Sequence, residues 1–142
     1  MSLPEDIIDV PGSRFSDNPV VELLPDGRNG RLYRDFSYTD TIGREHMAHK
    51  GMITDGGSIP RFLWRLIGSP FTGVARPAYI IHDKYCYKAN DLEGAERAEL
   101  RLSADKLLLE ILEYLGVKKW RLKTIYTAVR IFSRFSLLIF IF

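Results

Sequence analysis

His82 and Asp83 stand side by side in RPAYIIHDKYCY. The spacing there predicts a helix opened by Pro77 and running through about Lys88. Neighbouring helical positions point about 100° apart, so one helix can send an imidazole into one pocket and a carboxylate into the next. A general base and a metal ligand serving one water need that arrangement. The plainer alternative is a core histidine with a solvated aspartate beside it. Three further features favour chemistry. Asp105 lies on the interior-leaning side of the following helix, beside Ala104, Leu108 and Leu109, and reaches His82 if the two helices pack antiparallel across ANDLEG. A carboxylate on one imidazole nitrogen fixes the tautomer and leaves the other nitrogen as a base. The loop TDGGS supplies Asp55 and carbonyls freed by Gly56 and Gly57, which suit a hard cation such as calcium. Tyr85 and Tyr87 flank the site with phenols able to join a polar network.

The elements that must hold these residues divide the chain in two. The whole is expected to be a single domain over 1–142, of α+β class, with a β-meander over 18–54 and a loop and helices over 55–142. PVVELL, RLYRDFSYTD and REHMAHKGMIT read as three antiparallel strands, with a hairpin at Asp26 to Gly30. His46 and His49, three apart on the last of these, point to opposite faces and are expected as surface residues. Ser58 and Pro60 fit the start of a short helix to about Ile67. A long amphipathic helix follows from about Ala95 to Tyr114, with Leu100, Ala104, Leu107, Leu108, Ile111 and Leu115 at helical spacing. Gly116 ends it, and a last helix begins near Lys118. The expected architecture is a meander followed by a bundle of three or four helices.

Composition sets limits on function. The chain is 46% apolar and 27% charged with a net charge of +2, so there is no specific nucleic-acid signal in its overall charge. Cys86 is the single cysteine, which excludes an intrachain disulfide and favours a reducing compartment. Paired histidines and cysteines of the kind a zinc site uses are lacking. MSLPEDIIDV has neither a basic n-region nor an apolar h-region, so no signal peptide is expected. Toward the C-terminus Lys118, Lys119, Arg121, Lys123, Arg130 and Arg134 occur without an acid, and the chain closes on FSLLIFIF. That closing run is far short of the roughly twenty residues a bilayer span needs. The segment is either a helix buried in the domain or an oligomer contact, or a basic amphipathic surface for an anionic membrane or a protein partner.

Two resemblances meet at the same residues. TDGGSIP (54 to 60), His82-Asp83 followed by tyrosine, and Ala104-Asp105 resemble the signature of a phage-associated family of unknown function. Asp55-Gly56-Gly57-Ser58, Pro77-Ala78-Tyr79-Ile80-Ile81-His82-Asp83 and Asp105 also resemble the small prokaryotic and fungal phospholipases A2. That second resemblance implies an antiparallel helix pair, with His82 as general base and Asp105 orienting it. It also implies calcium bound by Asp83 and Asp55. Gly57 and Tyr79 stand where those enzymes carry a disulfide, and Cys86 stands where they carry a tyrosine. The spacing between Asp55 and His82 is also longer than theirs.

The expected function is a phage or prophage hydrolase that uses a metal-dependent attack of water, with calcium as the ion, on a phospholipid acyl ester, working at a membrane surface. The alternative is a non-catalytic protein that keeps the scaffold and binds a phage or host protein. In either case the expected location is the cytoplasm of an infected or lysogenic bacterial host, its membrane periphery, or the virion. Oligomeric state is left open.

Overall fold

The computed structural model describes residues 13–26, 29–54 and 76–141, with side chains through 131. The elements are β1 (Val21–Leu23), β2 (Gly30–Leu32), β3 (Phe36–Thr39), β4 (Glu45–Ala48) and β5 (Ile53–Thr54), then α1 (Arg76–Asn90), α2 (Gly94–Tyr114) and α3 (Lys119–Ile141). This is an α+β arrangement of antiparallel strands followed by helices.

The single meander is corrected to two small sheets, one ordered β1-β2-β5 and one pairing β3 with β4. Each long strand expected from the sequence breaks in two. RLYRDFSYTD gives up pairing at residues 33–35, and REHMAHKGMIT turns at His49 to Met52, where the Met52 N–H donates to the His49 carbonyl at 3.1 Å. The pairing partner changes at both breaks, which side-chain periodicity does not record. The hairpin between β1 and β2 forms where expected, closed by the Leu24 N–H on the Asn29 carbonyl at 3.0 Å. Gly30 lets the strands approach there, because a Cβ at that position would strike the Val21 side chain.

α1 is buried nearly all round, with Ala78, Tyr79, Ile80, Ile81, His82 and Asp83 in succession out of solvent. It is the central element, packed against α2 and against β4. α1 and α2 run antiparallel. Asn90 at the end of α1 meets Arg97 and Arg101 in α2, while His82, further back, meets Asp105, further on. α2 stops as Gly116 predicts. Leu115 is the C-cap and Gly116 takes φ +78°; its N–H donates to the Glu113 carbonyl and that of Val117 to the Leu112 carbonyl. This double bond pattern is the Schellman ending. Leu122, Ile125 and Val129 of α3 complete the core with Leu108, Ile111 and Leu112. β3 is tied to α2 by the Tyr38 hydroxyl, which donates to Glu110 Oε2 at 2.7 Å. The short helix expected over 60–67 lies outside the described residues, as do Asp55, Gly56 and Gly57.

Candidate functional site

Antiparallel packing of α1 on α2 brings His82 and Asp105 together at the centre of the protein. His82 Nε2 lies 2.6 Å from Asp105 Oδ1, with the two residues 2% and 0% exposed. The other oxygen of Asp105 accepts from Arg130 Nη1 of α3 at 2.8 Å. One carboxylate therefore joins α1, α2 and α3.

Burial opposes the charged imidazole, but the Cys86 sulfur and the Asp105 carboxylate outweigh it and push the His82 pKa up to about 10. Cys86 Sγ lies 3.6 Å from Nδ1 and 3.8 Å from Nε2. Near-equal distances place the sulfur alongside the ring and off the lone-pair axis of either nitrogen, so it is not aligned to exchange a proton.

The raised pKa has a consequence for stability. The folded value near 10 stands above the ordinary 6.5, so the stabilisation from this pair is complete below about pH 6.5. It is lost as pH climbs through the folded value. Urea midpoints measured from about pH 6 to about pH 10 should fall steadily; a midpoint that stays flat above about pH 7 would mean His82 is buried neutral.

Asp83, 2% exposed, accepts from the Thr54 hydroxyl. Thr54 ends β5 and precedes Asp55 in the chain, so the strand leading into TDGG is fastened to the residue next to His82. Of the expected calcium ligands only Asp83 is described. Among the described residues no group of three His, Cys, Asp or Glu side chains could hold a metal ion.

Tyr85 and Tyr87 do not join His82. Tyr87 is 42% exposed, and Tyr85 turns to the sheet, where its hydroxyl is 2.5 Å from His46 Nδ1. His46 Nε2 in turn is 2.8 Å from Asp40 Oδ2. Here the surface reading of His46 is corrected: its side chain is 14% exposed, whereas that of His49 is 74% exposed. β4 ends at Ala48, so His49 lies in the turn beyond it, while His46 faces α1 because β4 packs over that helix; the sequence does not say which face a helix will cover. Asp40 is the residue the sequence reading missed. Its Oδ1 accepts the backbone N–H groups of Ile42 and Arg44. Burial raises the carboxyl, and the hydrogen bonds from His46, Arg44 and Ile42 more than reverse this, so it is held below its ordinary range. An Asp opening the turn DTIG was the available signal.

Among the basic residues toward the C-terminus, Lys118, Lys119 and Lys123 are exposed and Arg121 is half-buried. Arg130, expected on that outward basic face, points inward to Asp105; the Arg134 side chain lies outside the described residues. Position 130 borders the inward stripe of Leu122, Ile125 and Val129, which is why a long side chain there reaches the core.

Residues 30–129 match the family described as "Protein of unknown function (DUF1353)". The chain belongs to this family. The DUF1353 match takes in β2 to β5, α1, α2 and about half of α3, hence His82, Asp83 and Asp105 but neither β1 nor Arg130. Two similar proteins come from Sinorhizobium fredii (strain NBRC 101917 / NGR234). Uncharacterized protein y4jT is 32% identical over 102 residues, covering 69% of this chain and 27% of that protein. Uncharacterized protein y4iH is 37% identical over 67 residues, covering 47% of this chain and 28% of that protein. The matched part thus spans about a quarter of the length of these relatives. No solved structure matches the chain.

Proposed function

We propose that this DUF1353 protein is a hydrolase of phage or prophage origin that cleaves a phospholipid acyl ester, with a core of phospholipase A2 type. The observation that supports it most is the 2.6 Å bond between His82 Nε2 and Asp105 Oδ1. It spends one ring nitrogen on the carboxylate and leaves Nδ1 as the atom that takes a proton. In this reading deprotonated His82 removes a proton from water through Nδ1. The water oxygen bonds to the ester carbonyl carbon, the bond to the glycerol oxygen breaks, and His82 returns the proton to that oxygen. The products are a fatty acid and a lysophospholipid. Asp105 keeps the ring oriented throughout. Lys118, Lys119 and Lys123, exposed on α3, suit an anionic lipid surface. No helix among the described residues is long and apolar enough to cross a membrane.

A second reading rests on the Arg130 bond to Asp105. A carboxylate held from both sides, out of solvent, also suits a purely structural tie in a protein that binds a phage or host partner. Release of fatty acid from a fluorescent phospholipid by the full chain separates the two. The hydrolase reading expects release with a lysophospholipid product. No release at neutral or alkaline pH leaves the structural tie as the better account.

A further inference from the structure

A cleft of about 560 Å³ opens between the turn that joins β3 to β4 and the paired helices α1 and α2. It is separate from the buried His82. Its lining combines Ile42, Leu100 and Leu107 with Asp40, His46 and Tyr85, and it carries Arg44, Ser103, Lys106 and Glu110. We propose that this cleft binds an amphipathic anion, a carboxylate or phosphate on a short apolar chain, held by Arg44 and Lys106 and by the Tyr85 hydroxyl.

The hydrogen-bond accounting favours an anion. Both acids of the cleft already have their acceptor oxygens engaged. Asp40 takes two backbone N–H groups and His46. Glu110 takes the hydroxyls of Tyr38 at 2.7 Å and Thr41 at 3.0 Å. The cations are not so engaged, since Arg44 and Lys106 form no ion pair with their side chains among the described residues and both are exposed. What remains on offer is mostly donors, so the complementary ligand brings acceptors and negative charge. The apolar lining asks for a short hydrocarbon portion beside that charge.

Tyr85 is placed for this by a chain of two bonds. With the His46 proton assigned to Nε2, Asp40 accepts it and Nδ1 accepts the Tyr85 hydroxyl. The phenol is thereby fixed at the cleft wall with its one proton held by His46, and an arriving anion gains Tyr85 as a donor by displacing that bond. His46 and Asp40 are positioning residues; Tyr85, Arg44 and Lys106 touch the ligand.

Titration of the full-length protein with octanoate, octyl phosphate and octanol, followed by the His46 and Tyr85 side-chain NMR signals, tests this. At least one of the two anions is expected to shift those signals and bind at least about tenfold tighter than octanol. Binding of octyl phosphate alone assigns the cleft to a phosphate ligand, and binding of octanoate alone to a carboxylate; either supports the site. The Arg44→Gln/Lys106→Gln variant replaces two exposed residues, so its fold is expected to survive, and it should lose at least about tenfold in affinity. Tyr85→Phe should weaken binding as well, whereas His49→Gln should leave it unchanged. Octanol binding as tightly as the anions, full affinity in the double variant, or no shift of the His46 ring with either anion would overturn the proposal.

Discussion

Asp105→Asn is expected to destabilise the protein by about 3–5 kcal/mol, the cost typical of removing one partner from a buried ion pair. The substitution keeps the shape of the side chain, so no cavity forms and the loss is electrostatic. It leaves the His82 imidazolium and the Arg130 guanidinium facing a neutral amide in the core. Two responses hold the cost toward the lower end. His82 can shed its proton, and Arg130, with 21% of its side chain exposed, can turn partly to water. For a chain of this size each kcal/mol corresponds to about 3–4 °C, so the melting temperature should fall by roughly 10–15 °C. Arg130→Gln removes only the outer bond, and should cost less, about 1–2 kcal/mol. The double variant should cost less than the sum of the two, because both substitutions act on one carboxylate. An Asp105→Asn protein within about 0.5 kcal/mol of the parent would show that the charge triad does not hold the helices together.

His82→Gln should reduce phospholipid hydrolysis by about 10²- to 10⁴-fold, the range expected when a general base is removed. Glutamine keeps a polar group in reach of Asp105 but cannot take a proton from water. The variant should remain folded, and circular dichroism with an unfolding midpoint checks this independently of turnover. Loss of activity together with loss of fold is the signature of a structural tie. Loss of activity in a folded variant is the signature of chemistry at His82.

The residues at the centre were legible from type and spacing. The antiparallel pairing of α1 and α2 follows from two long helices joined by a short loop. Once the apolar faces are aligned, His82 and Asp105 face each other. The ending of α2 at Gly116 was legible because only a residue tolerant of positive φ fits that turn. Other features were not, for reasons that are tertiary. The breaks inside RLYRDFSYTD and REHMAHKGMIT arise because the chain leaves one sheet and enters another. His46 became part of an interior chain because β4 lies over α1. Arg130 became the third member of the central triad because α3 packs on α2 with that position at the edge of its buried stripe. None of these three depends on local propensity, and each is fixed by which surfaces meet.

The pH dependence of turnover tests the central claim, that His82 is the base that activates water, most directly. With a pKa near 10, only about one His82 in a thousand is unprotonated at neutral pH. A base held that far above neutrality is poorly matched to pH 7, so neutral turnover should be slow. Initial rates on a fluorescent phospholipid should rise about tenfold per pH unit from about pH 7 and level off near pH 10. The window is set by the folded pKa, because the free imidazole is the active form. A rate that is flat across that range would contradict the assignment of His82 as the base, and one that levels off near 6.5 would show that Asp105 does not hold the ring above its ordinary value.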